Sequence, residues 1–251
     1  RFEFRAVGSS QNVASAAYVL NCIVAESLKE FRAEVDALEA AGEDRSSAGM
    51  SVVRKFVTAS KDIMFEGNGY SREWEAEAAE RGLRAIKNVI EAYEVYHEQQ
   101  TLDLFAGLGV LAANEVEARF EILNETYVKK LQIEARIIGD MCLNHVIPAA
   151  VRYQNILIEN IKGIKEIFGN DYMQYCSSEI ETLKKISTYI NNVSADVEAL
   201  VEARKKANRI ESIAMRAKAY SHDVKDMMDK VLVSADNLEM LVDDEMWPLP
   251  K

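Results

Sequence analysis

Val224-Lys-Asp-Met-Met-Asp-Lys-Val-Leu-Val-Ser-Ala-Asp-Asn-Leu-Glu-Met-Leu-Val242 is the stretch that decides the fold class. Its apolar positions Val224, Met228, Val231, Ala235, Leu238 and Val242 advance by 4, 3, 4, 3 and 4. That is a heptad-like seam, and one helix cannot bury such a seam alone. Trp247-Pro-Leu-Pro250 stops the helix. Upstream, a helix from about Ser178 carries Ile180, Leu183, Ile190, Val193, Val197 and Leu200 on one stripe. Before it, Asn114-Glu-Val-Glu117 resembles a capping box, with an acid three residues after the cap. The helix opened there shows paired apolar steps at Ile137/Ile138, Met141/Cys142, Ala149/Ala150, Tyr153, Ile156/Leu157, Ile161 and Ile164. Pro148 lies inside that pattern and predicts a kink, and Gly169-Asn-Asp171 closes it. From about Thr101 onward the chain therefore reads as long antiparallel helices forming a bundle.

The first hundred residues are less regular. Arg1 to Val7 alternates charged and apolar residues with period 2, which predicts a short strand ended by Gly8-Ser-Ser10. A helix follows from Asn12, its cap, to about Ala41, with Val19, Leu20, Ile23, Val24, Leu28 and Phe31 as its apolar positions. Gly42 to Gly49 reads as a polar linker, and Ser51–Lys61 as a short apolar helix. Phe65-Glu-Gly-Asn-Gly-Tyr-Ser71 is a turn, with Ser71 capping an acidic first turn at Glu73 and Glu75.

Composition agrees with a mainly α chain. Only 3 of 251 residues are Pro and 11 are Gly, while 49% are hydrophobic, ample for a core. With 30 Lys+Arg against 41 Asp+Glu the net charge is −11, which argues against nucleic acid or an anionic membrane as partner. Charges interrupt every candidate membrane span. Cys22, Cys142 and Cys176 are odd in number and far apart, the pattern of reduced thiols in a cytoplasmic protein. The chain opens on its strand without an initiator Met or a leader pattern, which reads as a piece of a longer polypeptide.

Arg1-Phe-Glu-Phe-Arg5 is the densest chemical constellation. On a strand, Arg1, Glu3 and Arg5 share one face, with same-face neighbours about 7 Å apart, and Phe2 and Phe4 face the other way. Two readings stay open on spacing alone. One is an ordinary cross-strand ion-pair ladder, the commoner arrangement. The other is a carboxylate for a hard cation, flanked by guanidiniums that grip phosphate or carboxylate.

That motif, continued as Ala6-Val-Gly-Ser-Ser-Gln11 and Val19-Leu-Asn-Cys-Ile-Val-Ala-Glu26, resembles the end of the catalytic domain of type III glutamine synthetases. The likeness extends through Gly67-Asn-Gly-Tyr-Ser-Arg-Glu-Trp74, Glu117-Ala-Arg-Phe-Glu121, Ile147-Pro-Ala-Ala-Val-Arg-Tyr153 and Asp236-Asn-Leu-Glu-Met-Leu-Val-Asp243. The resemblance implies that residues 1–100 are the C-terminal end of a catalytic domain, with a short β-strand left from its barrel. Residues 101–251 would be the type III helical extension. It also implies ATP-dependent joining of glutamate and ammonia through γ-glutamyl phosphate, with Mg2+ or Mn2+ as metal. Glu3 would be a metal ligand, Arg1 a contact to ATP phosphate and Arg5 a contact to substrate glutamate. No residue here would be catalytic in the sense of acid, base or nucleophile. The implied assembly is a homo-oligomer, a dodecamer of stacked hexameric rings. The rival reading is a non-enzymatic helical-bundle interaction module.

Other residues carry weaker expectations. His97, His145 and His222 are too far apart in sequence to suggest a metal cluster. Cys142 reads as a small core residue, and Met227, Met228 and Met240 as packing. Arg204, Lys205, Lys206 and Arg209 read as a solvated basic face. Tyr93, Tyr96 and Phe105 fit either core or interface.

Overall fold

A computed structural model describes residues 12–250. The strand expected at Arg1–Val7 lies outside them, and among the described residues there is no strand. By its contacts the chain divides after Phe120 into two compact units.

The first unit begins with α1 (Ala14–Ala40) and α2 (Arg45–Ala59). The side chain of Asn12 accepts the Ala14 N–H at 2.8 Å, the capping role expected of it. The expected linker Gly42–Gly49 is shorter than predicted. Gly42 turns the chain at φ +102°, and Asp44 then accepts the N–H groups of Ser46 and Ser47, so α2 is already under way at Arg45 and contains Gly49. The two helices enclose Val35, Ala48 and Val52, flanked by Phe31 and Phe56, whose rings meet edge to face at 5.5 Å. Ser71 caps α3 (Arg72–Glu80) through the Trp74 N–H at 3.1 Å. The loop before it is braced by Phe65 stacked on Trp74 at 3.8 Å, and by Arg81, which donates to the carbonyls of Asp62 and Met64. After α4 (Val89–Glu94), α5 (Gln99–Gly107) contributes Phe105 to a second cluster with Cys22, Leu111 and Val116.

α6 (Ala113–Met141) starts one residue before the expected cap at Asn114. Glu115, rather than Glu117, reaches back to the Ala112 N–H at 2.8 Å, because an acid at the third helical position can satisfy the N–H just ahead of the helix. α6 passes through a π-helical turn, Cys142–Val146, into α7 (Ile147–Phe168). Pro148 thus falls at the start of α7, where its missing N–H is accommodated by the wider turn before it.

Gly169 at φ +59° reverses the chain into α8 (Met173–Asn208), which starts earlier than the expected Ser178 and bends at Cys176 (φ −139°, ψ 23°). α9 (Ile213–Ala219), a second π-helical turn Tyr220–Val224 and α10 (Lys225–Glu239) complete the second unit. It is a helical bundle in which α8 lies against both α7 and α10. Every residue of the seam Val224 to Val242 is buried, with Val224, Val231 and Leu238 at 0% exposure. Small residues allow the close approach: Ala149 and Ala150 are fully buried, and a Cβ at Gly139 would stand 3.5 Å from Val197.

Candidate functional site

Arg1, Glu3 and Arg5 lie outside the described residues, so the strand motif has no geometry here. Among the described residues no group of three or more His, Cys, Asp or Glu could hold a metal ion. A single carboxylate such as Glu3 supplies one of the six or so oxygens a divalent ion of this class needs. The described residues therefore offer no set that fits the implied Mg2+ or Mn2+. His97 is committed elsewhere: its Nε2 lies 2.9 Å from Glu117 and its ring 3.9 Å from that of Phe120. His145 and His222 each sit in a π-helical turn.

In the first unit, a cleft of about 470 Å3 opens between α1 and the α4–α5 region, lined by Val19, Ile23, Tyr96, Thr101, Leu104 and Phe105. The Arg84–Glu98 ion pair, at 2.8 and 3.1 Å, stands at its edge. Tyr96 meets Tyr18 hydroxyl to hydroxyl at 3.5 Å, and burial first, then that contact, pushes its phenol up to about 12. Tyr96 is thus a neutral, amphipathic wall at physiological pH, suited to binding rather than proton transfer. Phe105 is a buried member of the core cluster, and Tyr96 is partly buried against it while also lining the cleft.

In the second unit, Cys142 is a core residue as expected, its thiol pushed up to about 11 by burial. Met228 is buried as expected of a packing residue, whereas Met240, expected to pack as well, is 82% exposed. The basic face at Arg204–Arg209 needs correction. Lys205 is exposed and pairs with Glu202 at 2.8 Å, but Arg204 points inward and its Nη1 is buried without a hydrogen-bond partner. Sequence spacing could not show this, because a helical position next to a buried one can turn its side chain either way. Among the described residues no helix is long and apolar enough to cross a membrane.

Comparison with known proteins adds what geometry alone lacks. The family described as Glutamine synthetase C-terminal domain matches residues 48–165. The whole chain aligns with a glutamine synthetase of Bacteroides fragilis at 41% identity, covering 35% of that protein. It aligns equally completely with a type-3 glutamine synthetase of Dictyostelium discoideum, at 32% identity and 34% of its length. A glutamine synthetase of Butyrivibrio fibrisolvens is 28% identical over 83% of the chain and 29% of its own length. The chain thus spans about a third of the length of the curated relatives it matches.

Proposed function

The chain belongs to the glutamine synthetase family, and from that premise we propose that it works as the C-terminal part of a longer type III synthetase. The observation that carries this reading is the match of the whole chain, at 41% identity, to a stretch about a third of the Bacteroides protein's length. The proposed reaction joins glutamate and ammonia. ATP phosphorylates the γ-carboxylate of glutamate, ammonia attacks the acyl phosphate, and inorganic phosphate leaves. In this scheme Arg1 grips ATP phosphate and Arg5 grips glutamate, each through its planar fork. Glu3 serves as one oxygen ligand for Mg2+ or Mn2+, whose charge helps to neutralise the crowded phosphate and carboxylate oxygens.

Residues 1–100 complete the catalytic domain in this reading, and 101–251 form an extension acting in assembly of a ring-stacked dodecamer. The alternative, a non-enzymatic interaction module, draws on the exposed Ile167 and the exposed, stacked pair Phe168 and Tyr175 at the α7–α8 turn. Glu3→Ala in the longer protein separates the two. Loss of glutamine formation at saturating magnesium, with particle size unchanged by light scattering, supports the synthetase role. Near-normal turnover removes Glu3 from the site. The 251 residues alone should form no glutamine above background.

A further inference from the structure

We infer that Asn68, which Gly69 follows in the loop ahead of α3, is a site of spontaneous covalent modification: its side-chain amide is lost and the residue becomes aspartate or isoaspartate. The inference is independent of the synthetase reading, since no residue of the strand motif takes part.

The step is an internal acyl transfer. The Gly69 N–H gives its proton to hydroxide, and the nitrogen bonds to Asn68 Cγ while negative charge develops on Oδ1. The Cγ–Nδ2 bond then breaks, Nδ2 takes a proton from water, and ammonia leaves a five-membered imide behind. Water opens the ring. Its addition at Cγ gives aspartate, and its addition at the backbone carbonyl carbon gives isoaspartate, whose main chain runs through the side-chain methylene. Nothing is oxidised or reduced.

Three observations meet at this pair. First, the attacking nitrogen is unengaged: among the described residues the Gly69 N–H donates to no protein group, although the N–H groups of Tyr70 and Ser71 both do. Second, nothing crowds the closing ring. Gly69 has no side chain, a Cβ built on it would meet nothing within 4 Å, and residues 61–70 are all exposed, Tyr70 at 96%. Third, Asn68 Oδ1 accepts the Tyr70 N–H at 3.1 Å. That bond folds the side chain back over the next peptide, toward the Gly69 nitrogen, and sets a donor against the oxygen on which charge develops.

The chain supplies its own comparison. Asn12 and Asn88 make the same local bond, to the N–H groups of Ala14 and Ile90, both at 2.8 Å. Each is followed by valine, Val13 and Val89, whose branched side chain crowds the nitrogen that would attack. Asn68-Gly69 is the only Asn-Gly pair among the 251 residues. The product bears on α3. A new carboxylate at this position lies just ahead of the helix N-terminus, where negative charge is favoured. The isoaspartate form instead lengthens the main chain between Asn68 and Ser71, the α3 cap, so the turn bond from the Ser71 N–H to the Asn68 carbonyl, at 3.1 Å, is lost.

The test is to hold the intact chain at mildly alkaline pH and body temperature, cleave it after Lys61 and Arg72, and follow the peptide 62–72 by mass spectrometry. A growing fraction should gain about one dalton, OH replacing NH2, with isoaspartate and aspartate both present in the fragment ions. Peptides holding Asn12 and Asn88 should gain it at least roughly tenfold more slowly. In G69A, which fits because Gly69 is not at positive φ and its Cβ position is open, the gain at Asn68 should slow several-fold. No gain in the unaltered chain, aspartate without isoaspartate, equal rates at Asn12 or Asn88, or an undiminished rate in G69A overturns the inference.

Discussion

Leu238→Ala removes three carbon atoms from a side chain with no exposed surface, in the last turn of α10, the helix that packs on α8. At about 0.8 kcal/mol per buried methylene-sized group, the lost transfer energy is about 2.4 kcal/mol. The bundle around it is close-packed, with Val231 and Val242 of the same seam and Val197 of α8 all at 0–3% exposure, so the hole should collapse only in part. With the cavity term the total should reach about 3–4 kcal/mol. That is a large share of the roughly 5–15 kcal/mol of a typical domain. Denaturant unfolding followed by circular dichroism measures it, and Met240→Ala is the internal control. Met240 stands two residues further on but is 82% exposed, so its truncation should change stability by less than about 0.5 kcal/mol. Light scattering on the same samples tells whether the loss loosens particles or unfolds the helices. A cost below about 1 kcal/mol for Leu238→Ala, or equal costs for both variants, would refute the assignment of the seam to a tightly packed interior.

Two glycines should respond in opposite directions. Gly169→Ala forces a Cβ into φ +59°, ψ −127°, and should cost upwards of about 1 kcal/mol, whereas Gly163→Ala, mid-helix with nothing within 4 Å of its Cβ, should gain about 0.5–1 kcal/mol; melting curves of the two variants check this. Cys142 supplies a pH test. Its folded pKa, about 11, lies above the ordinary thiol value of 9.0, so below pH 9 both states are protonated and nothing is lost, and stability should fall as pH rises from about 9 to 11. Cys142→Ala should flatten that fall in a denaturation series across the interval, and an unchanged slope would show that the thiol is hydrated in the fold.

The helical bundle was legible because a seam of strict 4 and 3 steps has few ways to be buried, and every seam position from Val224 to Val242 is buried. α10 itself ends at Glu239, however, and Val242 lies in the turn beyond it rather than in a helix running on to Trp247. Periodicity says which residues share a face, not whether a partner covers it. Ile23, Val24 and Leu28 of α1 show the difference: they follow the helical spacing, yet are 48%, 54% and 62% exposed in the structure. Short polar residues misled the reading at Gly42–Gly49, where Asp44 with two N–H groups ahead of it makes a cap rather than a linker. The π-helical turns left almost no mark in the sequence beyond Pro148, because hydrogen-bond slippage by one residue is a backbone event. The shielding of Arg204 Nη1 is a matter of tertiary packing, which no local window contains. Of the strand motif, the sequence offered the chemistry of Arg1, Glu3 and Arg5 but not their placement.

The two π-helical turns also bear on descent. A π-helical turn is what a helix forms when it must absorb one surplus residue while keeping the register on both sides. Loss of one residue within Cys142–Val146 or Tyr220–Val224 should therefore restore a plain α-helix and leave the downstream faces aligned. Loss of one residue anywhere else in α7 or α10 would swing the following apolar face by about 100° away from α8. Among lineages that share this bundle, single-residue gaps should thus collect at these two places, and length variation there can accumulate without redesign of the packing.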